Sequence, residues 1–164
     1  MLRKLIATDA DRTTAMLRIA LAVVILPHGA QKLLGWFGGA GPAGTIGFFD
    51  ATWGIPAFLT MLVIAAESLG GLALLSGFAG RVAAAGVAAV MVGAVALQHA
   101  GNGFFMNWTG QQAGEGFEFH ILAIALALAV VVKGSGAWSI DRLLSTRATV
   151  VGSTEHERPL RRAA

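Results

Sequence analysis

Apolar residues in this chain gather into four long stretches, which begin near Ala15, Pro56, Val82 and Phe117. Few of the twelve Lys and Arg residues interrupt them. Arg18 and Glu67 do lie inside, and His28, Lys32, His99, Glu118 and His120 crowd the ends. A charge at membrane depth is expensive, so it lines a site or pairs with another charge. The pattern predicts an all-α protein: a four-transmembrane-helix bundle with a polar interior and short amphipathic N- and C-terminal segments. No stretch reaches about 18 uninterrupted apolar residues, so no single span decides the matter alone. The membrane-length spacing and the scarcity of charge favour a membrane bundle over a soluble one.

The expected helices cover about 13–34, 56–77, 81–99 and 117–133, in one membrane domain over 1–145, with a mobile polar tail over 146–164. Asp11 or Thr13 is placed to cap the first helix by accepting from a free backbone N–H. Pro27 lies inside that helix and deprives the Val23 carbonyl of its partner, so a kink is expected there. Gly35 to Gly44 reads as a turn-rich linker and not a phosphate loop, because no strand precedes it and no Gly-Lys-Ser/Thr follows. Pro56 suits a helix start, and Gly77 to Arg81 is a tight turn. Ala85, Ala89 and Gly93 recur every four residues, a small-residue spacing that lets helix backbones approach closely. The bundle interior is the expected use of that stripe, ahead of an oligomer contact. Phe104, Phe105, Met106 and Trp108 belong at the membrane interface. Ser139 to Arg142 begins a short surface helix.

Charged residues make up 13% of the chain, against about 25% in soluble domains. The absence of cysteine excludes disulfides, thiol redox chemistry, Cys-ligated clusters and covalent c-type haem through this chain. The net charge of +3 raises nucleic acid as a partner, but the basic residues are distributed as in a membrane topology. Ten of them, from Arg3, Lys4 and Arg12 through Arg81 to Lys133 and the tail, fall on the side of the termini, and Lys32 alone on the other. The positive-inside rule then places both termini in the cytoplasm, in a cell inner membrane. The basic start and apolar run of residues 1–26 outline a signal peptide. Asp9, Asp11 and Arg12 intervene and no A-x-A site closes the run, so an uncleaved first helix is expected.

Under that topology the polar candidates share one depth near the outer boundary. His28, Gln31 and Lys32 are spaced i, i+3, i+4 and share a helix face. With His99, Glu118 and His120 they form the candidate ligand-binding set. Glu67 is read as a buried carboxylate paired with Arg18 or with Lys32, Arg18 being favoured because it shares a stripe with Lys32. Metal is not assigned, since Glu118 and His120 are two apart and point away from each other on a helix. Bis-histidine haem from His28 with His99 or His120 is disfavoured. Hydrogen bonding to a quinone headgroup is the more natural chemistry, since His, Lys and Gln donate to carbonyl oxygens in a partly apolar cleft. The bland alternative is a set of interface histidines that satisfy loop backbone. No nucleophile–base motif occurs, and His156 lies in the tail.

Four motifs in order carry a resemblance. They are Pro27-His28-Gly29-Ala30-Gln31-Lys32-Leu33-Leu34-Gly35 with Phe37-Gly38-Gly39; Glu67 with Gly70-Gly71 and Leu74-Leu75-Ser76-Gly77; Gly114 to His120; and Gly134-Ser135-Gly136 with Ser139-Ile140-Asp141. Over about 13–145 the chain resembles the DoxX family of small four-helix integral membrane proteins. The resemblance implies a link to thiosulfate:quinone oxidoreductase and to membrane oxidoreductase complexes, and it marks His28, Gln31, Lys32, Glu67 and Glu118. The expected function is a redox-associated subunit that contacts quinone. A non-enzymatic scaffold for a soluble oxidoreductase, or a small-solute carrier working as a homodimer, are the alternatives. Whether the chain is itself an enzyme is left open. Its expected partners are the bilayer and an oxidoreductase protein.

Overall fold

The computed structural model describes residues 2–146, and every regular element among them is helical. The order is α1 (Leu2–Ile6), α2 (Arg12–Leu34), α3 (Gly41–Trp53), α4 (Ala57–Ser76), α5 (Gly80–Ala94) and α6 (Glu118–Lys133). A final helical segment, α7, runs over 140–146. The tail expected beyond residue 146, with His156, lies outside the described residues. Asp11 caps α2 as expected: it accepts from the Thr13 amide at 2.9 Å and the Thr14 hydroxyl at 2.5 Å. The Thr14 bond, then the Thr13 bond, hold the Asp11 carboxyl below its ordinary range. The cap is therefore intact at neutral pH and weakens as pH falls through that lowered value.

The helices pack around small and medium apolar side chains. Leu21, Ala22 and Ile25 of α2 meet Leu74 of α4, Ala84, Val87 and Met91 of α5, and Ala123, Ala127 and Val130 of α6. The opposite faces are also apolar and lie open, with Val23, Leu62, Leu72, Val92 and Leu122 among the exposed residues. Charge, by contrast, is inside, since Arg18, Glu67 and Asp141 are almost wholly buried. An apolar exterior around buried charge is the arrangement that lipid favours. Arg12–Leu34, Ala57–Ser76 and the continuous helical run Gly80–Asn102 are long and apolar enough to cross a membrane. The chain is a multi-pass membrane protein on these three helices. The fourth helix, α6, has 16 residues and packs on α5 and α2.

The turn-rich linker expected over Gly35 to Gly44 gives way at Gly41 to a helix that runs through residues for which no element was expected. Pro42 starts α3 in a first-turn position, but Gly44 and Gly47 lower its intrinsic propensity by about 1 kcal/mol each relative to Ala. Tertiary contact overrides that cost. α3 lies against α2 and α4, and within α3 itself Trp53 adds local packing, edge-on against Phe48 and Phe49 at ring separations of 5.2 and 5.0 Å.

Arg18 does not pair with Glu67. Its guanidinium is wholly buried at the basal end of the bundle, where the described termini lie, and donates to five carbonyls. Two, Leu74 and Leu75, belong to the last turn of α4; three, Ser135, Ala137 and Trp138, follow α6. Carbonyls at a helix C-terminus have no intrahelical partner, and lipid supplies none. Five donors in a planar fork meet that need better than one distant carboxylate. Asp141 completes the knot, accepting from the Ala79 amide at 2.8 Å, the Gly80 amide at 3.0 Å and the Ser135 hydroxyl at 2.6 Å. The segment expected to begin a surface helix therefore starts buried. Gly77 fits here because its φ is 67° and a Cβ would sit 3.1 Å from the Arg18 guanidinium carbon.

Arg18→Met is expected to destabilise the bundle by about 3 kcal/mol, since it strands buried carbonyls and the Asp141 charge together. Unfolding in mild detergent, followed by circular dichroism, measures this. Arg18→Lys should recover part of the loss, because an ammonium offers donors without the fork.

Candidate functional site

At the opposite, apical end the helices leave a cleft of about 700 Å³. Glu67 of α4 reaches it from below and lies 2.6 Å from Lys32 Nζ of α2, without an aligned hydrogen bond at that oxygen. The pair is enclosed, with side-chain exposures of 22% for Lys32 and 5% for Glu67. Gly29 makes this approach available. A Cβ there would stand 2.6 Å from the Ser68 nitrogen and 2.7 Å from the Glu67 carbonyl, so any larger residue forces α2 and α4 apart. An enclosed ion pair is sustained by close geometry, and each charge is costly without the other.

Two histidines meet on the far wall. α5 does not run on regularly to His99 as expected, but passes into a π-helical turn, Val95–His99, and then a 3-10 turn, Ala100–Asn102. A π turn widens the helix, and such turns concentrate at functional sites. Here Leu97, Gln98 and His99 all border the cleft. His99 Nδ1 lies 2.8 Å from the Glu115 carbonyl. A carbonyl only accepts, so Nδ1 carries the proton and Nε2 of the neutral ring keeps a free lone pair. The His120 ring stacks at a tilt against His99, with centroids 4.1 Å apart. His120 is buried and its Nδ1 has no partner. His28 completes the polar lining, 6.0 Å from the Phe119 ring.

The structure therefore brings His28, Lys32, His99 and His120 of the expected set to one cleft, together with Glu67. It directs two others elsewhere. Gln31 Nε2 donates to the Phe37 carbonyl at 3.3 Å and borders a smaller hollow against α3. Glu118 accepts from the Met106 amide at 3.0 Å and the Trp108 indole at 3.1 Å, so it fastens the loop between α5 and α6. Free backbone donors in that loop outcompete the cleft for its carboxylate. Sequence reasoning missed Phe49 and Trp53 as lining because it expects no helix between Gly44 and Pro56. Gln98 carried a signal, since it ends the same helix as His99. Among the described residues no three His, Asp or Glu side chains converge as metal ligands.

The small-residue stripe of α5 also takes a different place. Ala85 faces outward and Ala89 is exposed only toward the open cleft, while Ala84, Val87 and Met91 fill the interior instead. Gly86, Ala89 and Gly93 form one side of the cleft, opposite Leu62, Val63 and Ala66 of α4.

Lys32→Met or Glu67→Leu alone is expected to cost about 3 kcal/mol of stability, and the double variant markedly less than the sum. Glu67→Leu combined with Arg18→Met should be additive, because the two groups contact different partners. Unfolding midpoints of all five variants decide this.

A family model described as DoxX matches residues 13–100, more than half of the chain. No curated protein and no solved structure matches the chain. The matched region holds α2, α3, α4 and α5, with the Lys32–Glu67 pair and the Arg18 knot's α4 half. The apolar helices, their buried charges and this match together make the chain a membrane protein that belongs to the DoxX family.

Proposed function

We propose that this chain is a redox-associated membrane subunit that binds the headgroup of a quinone in the apical cleft. One observation carries the reading: the unpartnered His120 Nδ1 and the Lys32–Glu67 pair share a single cleft whose lining is otherwise mostly apolar. A quinone ring needs donors for its carbonyl oxygens and flat apolar surfaces for its faces. Lys32, Gln98 and the histidines supply the first, and Trp53, Phe49 and Phe119 supply the second. Cavities of this size take a ligand of drug-like dimensions. The chain has no thiol of its own, so an oxidoreductase partner provides the electrons. The quinone-linked proteins that the family resemblance implies agree with this role.

Trp53 lines the cleft, so a bound quinone should quench its fluorescence. Titration of the protein in nanodiscs with a tail-less dimethoxy-methyl-benzoquinone should give saturable quenching that Trp53→Phe removes. Lys32→Ala and His120→Ala should each weaken binding about tenfold, the worth of one charge-assisted or buried hydrogen bond. Binding that survives the double variant unchanged overturns the reading and favours a scaffold whose function lies outside the cleft.

The same reading places α6 as a fourth crossing and both termini in the cytoplasm, supported by the basal position of Arg12, Arg81, Lys133 and Arg142. At about 24 Å, α6 is shorter than the hydrocarbon core of about 30 Å. Reporter fusions should give a cytoplasmic signal at the C-terminus and a periplasmic one within residues 101–116. A periplasmic C-terminus overturns the four-crossing topology.

A further inference from the structure

The cleft is far larger than one ring needs, and its surplus lies between α4 and α5. These helices touch at their basal halves, where a Cβ on Gly70 would stand 3.9 Å from the Ala83 carbonyl and 4.0 Å from Val87, and a Cβ on Gly86 3.6 Å from Ala66. Toward the apical end they part. A Cβ on Gly93 would meet nothing within 4 Å. The opening is flanked by Leu62, 62% exposed, and Leu97, 51% exposed, both on the apolar outer face of the bundle. The groove thus opens sideways, where lipid surrounds the helices, and not only toward water. Its floor of Gly86, Ala89 and Gly93 carries no polar side chain. Its inner end meets His120, nine-tenths buried with Nδ1 unpartnered, and the Lys32–Glu67 pair.

We infer that the groove between α4 and α5 is the lateral entry and the tail site for an amphipathic ligand whose polar head sits at Lys32, Glu67 and His120. This rests on the cleft being a headgroup site. It adds that the ligand is a lipid-borne quinone with a long apolar chain, which arrives from the bilayer and leaves its chain against Gly86, Ala89 and Gly93. Small side chains are required there because each added methyl group takes up volume the chain would occupy. The polar head selects the ring, and the groove selects against ligands that lack a tail, since each buried methylene adds apolar burial. No group is transferred in this step; binding alone is assigned.

Two quinones test it in nanodiscs: the tail-less dimethoxy-methyl-benzoquinone and the same ring bearing a decyl chain. Comparing their affinity ratio between variants cancels partitioning into the lipid. Gly93→Leu should weaken the decyl form about tenfold and leave the tail-less form within about twofold. Ala89→Leu, at an exposed position that does not disturb packing, should act in the same direction and serves if Gly93→Leu fails to fold. Equal weakening of both ligands, or no change in either, overturns the tail groove while the headgroup site stands, and the second result would leave the groove to bilayer acyl chains. Failure of both quinones to bind the unsubstituted protein overturns the headgroup site and the groove together.

Discussion

Arg18 gathers, from the end of one helix and the turn after another, carbonyls for which lipid offers no donor, and the rest of the bundle is hung from that fact. Helices α4 and α6 both end at the basal side, each leaving free carbonyls and the negative end of a dipole. Arg18 collects those of α4 and of the turn after α6 in one guanidinium. Arg81 does the same for the last turn of α6, donating to Val131 and Val132, and it also reaches the Ala7 carbonyl at 3.2 Å. Asp141 covers the opposite need, the free amides at the start of α5. With the basal ends fixed in this way, the helices are free to separate at the apical end.

That separation creates the site. Gly29 lets α2 and α4 close enough for Lys32 and Glu67 to meet, while the glycines and alanines of α5 hold α4 close at its base and leave space above. The loop between α5 and α6 is pinned over the far side by Glu118 and by Glu115, whose carboxylate accepts from the Asn107 amide at 2.6 Å and whose carbonyl orients His99. Polar groups are therefore divided by task. At the base Arg18 and Asp141 fill several bonds each, whereas in the cleft His120 Nδ1 has no partner and Glu67 Oε2 has only the Lys32 charge beside it. An unfilled buried donor or acceptor costs free energy in the resting protein, and a ligand that fills it recovers that cost.

The motifs that signalled the family have the same division. Leu74 to Gly77, Ser135 and Gly136, and Ser139 to Asp141 are parts of the basal knot. His28, Lys32 and Glu67 face the cleft. A resemblance based on all of them thus reports a way of closing a four-helix unit as much as a binding site.

The sequence by itself determined the long apolar helices, the cap at Asp11, the stop at Gly77, and the family. Each follows from local rules: hydropathy over a span, a free amide beside a carboxylate, a glycine where φ is positive. Only the tertiary structure decided which charge met which. Arg18 and Glu67 share no partner because one lies beside helix ends whose carbonyls need donors and the other beside a lysine that Gly29 brings near. The helix α3, weak in propensity, lies against α2 and α4, and through it Phe49 and Trp53 reach the cleft. That Ala89 and Gly93 line the cleft and not the core likewise depended on how α5 rotates against its neighbours, since Ala84, Val87 and Met91 offer more apolar surface to the core. Periodicity marks that a helix has faces, and packing energy chooses the face.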